Sequence, residues 1–179
     1  MTRPTAFAVL AALSLWAGRA GAEPLELAAL RVKTGFEKTE IHEEKAEQGA
    51  WGRATEKTWS VRTEKGVWWR VVEVVPQKPP RSLAGFLGRW LANHGCAAKE
   101  VKDLPPLSHE GLAPVQLAFG GSCKGGDLYL IRVALLGDRA YEFHVDTGVA
   151  SAPADLRAEM KALLEQVEFK KGATGAPAK

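Results

Sequence analysis

The chain has 179 residues, 46% of them hydrophobic and 25% charged. This is the size and balance of one ordinary globular domain, not of a disordered, fibrous or collagen-like chain. The formal charge is +3, and without Arg3 and Arg19, which lie in a leader segment, 22 basic against 21 acidic side chains leave only +1. A nucleic-acid binder held by a basic stripe is disfavoured by so small an excess.

The first element is that leader. Met1-Thr2-Arg3 is positively charged, Ala6 to Ala17 is apolar, and small Ala20 and Ala22 precede the polar start at Glu23-Pro24. These are the three regions of a secretory signal peptide, with cleavage expected after Ala22. The apolar run falls short of the roughly 20 residues that cross a bilayer. Residues 1–22 are therefore assigned as signal peptide, and the mature chain is expected to lack a transmembrane anchor and to be periplasmic or secreted.

Residues 23–50 are an N-terminal arm of uncertain structure. Leu25, Leu27, Leu30 and Val32 suggest a short strand, while Glu37 to Glu47 is charge-rich with Ile41 as its apolar residue. A solvated ribbon, an exposed helix and a mobile arm all fit that composition. From residue 51 to 170 a single domain is expected. Thr58 to Arg62 alternates, Glu64-Lys65-Gly66 supplies turn chemistry, and Val67 to Val75 is a β-branched run, which together read as a hairpin. The second strand is apolar on both sides, so both sheet faces are expected to be covered there. Pro76, Pro79 and Pro80 end it.

Ser82 is positioned as an N-cap, and Leu83, Phe86, Leu87, Trp90 and Leu91 fall on one helical stripe before Gly95, which predicts a helix from Leu83 to His94. Gly85 and Gly88 weaken that helix by about 1 kcal/mol each relative to alanine, so packing must hold it. A strand near Glu100 to Leu104 and a loop at Pro105-Pro106 follow. Val115 to Phe119, Asp127 to Leu136 and Tyr141 to Val145 then read as a three-stranded meander, with Gly120 to Gly126 as the first connection and Gly137-Asp138 as the second. Ser151-Ala152-Pro153 starts a second helix whose stripe is Leu156, Met160, Leu163, Leu164 and Val167. Residues 171–179, rich in Gly, Ala, Pro and Lys, are expected to be a disordered tail.

The mature chain has two cysteines, Cys96 and Cys123. In an oxidising compartment they are expected to form a disulfide, constraining the unfolded chain by about 3 kcal/mol. The competing reading, Cys96 as a nucleophile beside His94, leaves Cys123 unexplained.

The order of elements predicts an α+β domain, an antiparallel sheet with helices packed on it. Ser82-Leu83-Ala84-Gly85-Phe86-Leu87 opens the first helix, Asp138-Arg139-Ala140-Tyr141-Glu142-Phe143 enters the last meander strand, and Leu163-Leu164-Glu165-Gln166-Val167-Glu168-Phe169 closes the domain. Over about Thr58 to Lys170 this resembles the PsbP-like fold, shared by an extrinsic photosystem subunit, a Ran-binding nuclear protein and small bacterial envelope proteins. The resemblance implies a sandwich and an accessory or binding role. It carries no catalytic motif, and fold alone does not assign function.

Three constellations offer chemistry. Glu142, His144 and Asp146 project from one side of a strand and are candidate metal ligands, although three such neighbours spread over about 13 Å. Ser108, His109 and Glu110 contain the groups of a hydrolytic triad, but sequence neighbours rarely converge as triad members do. Trp51, Trp59 and Trp69 are candidate ligand-stacking residues if a face of the hairpin is open. No cofactor is indicated. The expected function is that of an exported, monomeric, non-enzymatic accessory or binding protein of the bacterial cell envelope, with another envelope protein or a glycan as partner. The alternatives are an envelope hydrolase or metal-dependent enzyme, or a carbohydrate-binding module.

Overall fold

A strand that is apolar on both sides must lie inside a sheet covered on both faces, and that requirement organises the molecule. The computed structural model describes residues 25–33, 40–78, 82–104, 107, 115–123, 126–147 and 155–170. Residues 1–22, read from the sequence as a signal peptide, Ser108-His109-Glu110 and residues 171–179 lie outside them.

In chain order the elements are β1 (Leu25–Glu26), β2 (Leu30–Val32), β3 (Glu40–Gly49), β4 (Gly52–Arg62) and β5 (Trp68–Pro76), followed by α1 (Leu83–His94). Then come β6 (Cys96–Glu100), β7 (Val115–Cys123), β8 (Leu128–Leu136), β9 (Arg139–Asp146), α2 (Leu156–Glu165) and β10 (Val167–Phe169). A seven-stranded sheet has the order β3-β4-β5-β9-β8-β7-β6, and every pairing in it is antiparallel. The protein is thus α+β, an antiparallel sheet with helices packed on it. The β3-β4-β5 meander and the β6-β7-β8-β9 meander join where β5 pairs β9, with α1 as the crossover between them.

The alternation of β5 sorts its side chains onto the two faces. Val67, Trp69 and Val71 join a first core with Trp59, Phe143, Met160 and Leu163, under α2 and the three-stranded sheet β1-β2-β10. Val72 and Val74 join a second core with Phe119, Ile131 and Val133, under Phe86 and Trp90 of α1. The small sheet is attached by a buried polar clasp. Glu73 accepts from the Ala28 amide at 2.7 Å and the Tyr141 hydroxyl at 2.9 Å, and that hydroxyl accepts from the Ala29 amide at 3.1 Å. Such groups must find partners when buried.

Helix α1 has the predicted bounds and caps. The Ser82 hydroxyl accepts from the Gly85 amide at 3.1 Å, and Gly95 closes the helix in the left-handed conformation at φ 60°. Several other elements differ from expectation. The charged segment is an edge strand, β3, so the main sheet begins well before residue 51. Charge on the outermost strand discourages pairing with another chain. The strand expected near Glu100 to Leu104 instead starts at Cys96, directly after the helix cap. β7 runs through Gly120 and Gly121 to Cys123, so those glycines are not a connection. A Cβ on Gly121 would lie 1.9 Å from the Ala97 carbonyl oxygen; the glycine is what lets β6 approach. Finally, α2 ends at Glu165, and Val167 extends into β10 on the small sheet.

Candidate functional site

The second face of the sheet is not filled to its end. On β9 the even positions 140, 142, 144 and 146 share that face, on β5 Arg70 stands directly opposite His144, and on β8 Tyr129 and Ile131 lie opposite Asp146 and His144. Helix α1 crosses above, and its C-terminal residues Trp90 and His94 form a wall. Between them lies a cleft of about 190 Å³, lined also by Cys123 and Asp127 from the β7–β8 hairpin.

Each polar group there has a specific position. The His94 ring stacks on the Trp90 indole at 4.2 Å with 14° between planes. Its Nδ1 lies 2.8 Å from the Trp90 carbonyl oxygen, and since a carbonyl can only accept, Nδ1–H donates to it. His144 Nε2 lies 2.6 Å from Glu142 Oε2, and the other oxygen of this carboxylate accepts from the Trp51 indole N–H. Asp146 Oδ2 is 3.3 Å from Arg70 Nη2 at the mouth. Asp127 Oδ1 is buried and has no hydrogen-bond partner among the described residues, a condition that costs about 1–3 kcal/mol in a folded protein. Burial raises the Tyr129 phenol above its ordinary range, and its hydroxyl donates to the Ala97 carbonyl at 2.7 Å.

The sequence candidates fall unevenly on this geometry. Glu142, His144 and Asp146 do share a face, but they do not converge: Glu142 is spent on Trp51 and His144, and Asp146 on Arg70. Among the described residues no three His, Cys, Asp or Glu side chains are placed to hold a metal ion. The spacing of same-face residues along one strand is the reason. The stacking candidates are corrected outright. Trp51, Trp59 and Trp69 are 5%, 0% and 6% exposed, so none offers an open indole face. Trp51 stacks on Phe86 at 4.2 Å, Trp59 lies in the first core, and Trp69 donates to the buried Glu159 at 3.2 Å. Trp68, on the other face from Trp69, is half-buried.

Cys96 and Cys123 form a disulfide, directly opposite one another in the β6–β7 ladder. The nucleophile reading of Cys96 is thereby removed. A disulfide persists in an oxidising compartment, which accords with export. Among the described residues no helix is long and apolar enough to cross a membrane.

Sequence reasoning missed Arg70, Trp90 and Asp127 as members of one site with His94 and His144. Arg70 carried a usable signal, because it interrupts an apolar run with a charge on the same side as Trp68 and Val72. Asp127 carried none, since it reads as the first residue of a strand after a glycine-rich connection. A larger hollow of about 420 Å³ lies between β6, β7, β8 and the start of α2. Its rim is satisfied internally at two points: Asp155 caps α2 by accepting from the Arg157 and Ala158 amides, and Arg157 Nε lies 2.9 Å from Asp103. The smaller cleft, lined by Asp127 with its buried oxygen unpartnered among the described residues, is the stronger candidate. No family model matches this chain, and neither a curated protein nor a solved structure matches it.

Proposed function

We propose that the protein is exported to the bacterial cell envelope and works there as a non-enzymatic accessory or binding protein, with the α1-face cleft as its ligand site. The observation that carries the reading is Asp127: a buried carboxylate oxygen without a partner among the described residues, in a side chain that lines a concavity whose other charged members are oriented by neighbours. Convergent polar groups in an aromatic-walled hollow are the general character of a ligand site. At about 190 Å³ the cleft is smaller than the roughly 300–1,000 Å³ of drug-sized pockets. It suits one projecting group of a partner protein or glycan better than a whole cofactor. The disulfide and the leader-like N-terminus support export, and helices on both sheet faces support an accessory role of the PsbP-like kind.

The test has two readings. N-terminal sequencing of protein from the envelope fraction of the host should begin after Ala22. Backbone NMR of the mature protein titrated with solubilised envelope extract should show saturable shifts clustered at Trp90, His94, Asp127 and His144. Residence in the cytosol, or shifts confined to other surfaces, would overturn the proposal.

A further inference from the structure

Three side chains of the cleft lining, His94, Asp127 and His144, carry acceptor atoms. His94 donates through Nδ1 to the Trp90 carbonyl at 2.8 Å, so in the neutral ring Nε2 is a bare lone pair. His144 presents Nε2 to the Glu142 carboxylate at 2.6 Å, so in the neutral ring that donates there Nδ1 is the bare lone pair. Asp127 Oδ1, itself buried, has no hydrogen-bond partner among the described residues. Electrostatics point the same way. The C-terminal end of α1, with its partial negative charge, closes the cleft at His94, and Asp127, Asp146 and the Glu142 behind His144 bring carboxylates. Among the described residues the lining holds one Lys or Arg, Arg70, which sits at the mouth with its side chain 43% exposed and is matched by Asp146 at 3.3 Å.

A hollow offering lone pairs in a negative field selects a group that brings N–H donors and positive charge. From this we infer that the cleft binds a primary ammonium group, presented either by a free amine or by a lysine side chain of a partner. The inference rests on the cleft being the binding site, and it names the chemistry that this site accepts. The imidazole and carboxylate acceptors receive the N–H donors, while the Trp90–His94 stack lines the alkyl stem. Each good charge-assisted contact left unmade discriminates against a neutral isostere.

The experiment is a backbone NMR titration of the mature, disulfide-bonded protein with 1,5-diaminopentane, with a lysine-containing tripeptide blocked at both ends, with 1,5-pentanediol as the neutral isostere, and with zinc chloride and acetate. The expected result is saturable shifts at His94, Asp127 and His144 with an ammonium probe, at least tenfold weaker binding of the diol, and at least tenfold loss in Asp127→Asn. Trimethylation of the tripeptide's lysine keeps the charge but removes the N–H donors, and should also weaken binding about tenfold. His94→Ala, at an exposed helix end, serves if Asp127→Asn fails to fold. Binding of the diamine alone would assign a free amine as the source; binding of the peptide would assign a partner's side chain. Equal binding of the diol, or preferred binding of acetate, overturns the ammonium inference and leaves a binding site in place. Zinc saturating the two imidazoles where no amine binds overturns it in favour of a metal. Silence of all probes at these residues overturns both the inference and the site.

Discussion

The two faces of the seven-stranded sheet use the same strands for different purposes, and Phe143 and His144, adjacent on β9, show how. Phe143 is fully buried in the first core, against α2 and the small sheet. His144 points the other way, its side chain 12% exposed at the floor of the cleft. The first face is closed by two separate layers and clasped by Glu73. The second is closed by α1, whose twelve residues do not reach across it. A helix shorter than the sheet it covers leaves a hollow at its end, and polar side chains collect where water or a ligand can reach them. The closed core and the open cleft thus divide between the faces.

The sharpest way to break that division is to mutate neighbours on opposite faces. Phe143→Ala should cost about 3–5 kcal/mol, the usual range for emptying an aromatic site in a closed core, read as a lower midpoint in urea unfolding. Reducing the Cys96–Cys123 bridge, which spans 27 residues of sequence, should cost about 3 kcal/mol in the loop-entropy model. Calorimetry with and without reductant checks it, and the loss should be accompanied by faster amide exchange in β6, the edge that the bridge secures. Glu73→Ala leaves the Ala28 amide and the Tyr141 hydroxyl without their acceptor, for about 2 kcal/mol. Hydrogen exchange should show β1 and β2 opening before β8 and β9. His144→Ala, on the cleft face, should cost only about 1 kcal/mol while abolishing ligand-induced shifts at the cleft, a split that Phe143→Ala should not show.

The clasp also predicts a pH response. Burial first, and then the adjacent Glu73 carboxylate, push the Tyr141 phenol well above its ordinary range. The folded state therefore favours the neutral phenol, and its contribution is fully present below the unfolded value of about 10. It falls as pH rises past that value, because only the unfolded chain then ionises freely. Stability measured from pH 8 to 11 should decline above about 10, and Tyr141→Phe should flatten the decline.

Local chemistry was legible where one residue decides one outcome. Ser82 and Gly95 bound α1 because a cap acts on its own helix, and the double-sided apolar run at Val67 to Val75 announced a strand covered twice. The pairing of Cys96 with Cys123 followed from there being no other partner. Legibility failed where the deciding neighbour is distant in sequence. Nothing in Glu40 to Gly49 says that it will pair with β4, because a charged strand has no apolar side to reveal its period. Gly121 reads as turn chemistry until Ala97 is found against it. The cleft required β5, β8, β9 and the end of α1 to be laid beside one another before Arg70, His94, Asp127 and His144 could be neighbours.

By itself the order of residues determined an α+β chain with its helices, its meander and one cystine, since periodicity, caps and cysteine count operate over a few residues or leave no choice. Tertiary structure alone decided which tryptophans lie inside, that the arm is an edge strand, and that Arg70, His94, Asp127 and His144 line one cleft. Those outcomes depend on strand order and helix length, quantities set by the packing of the whole sheet and written in no short segment.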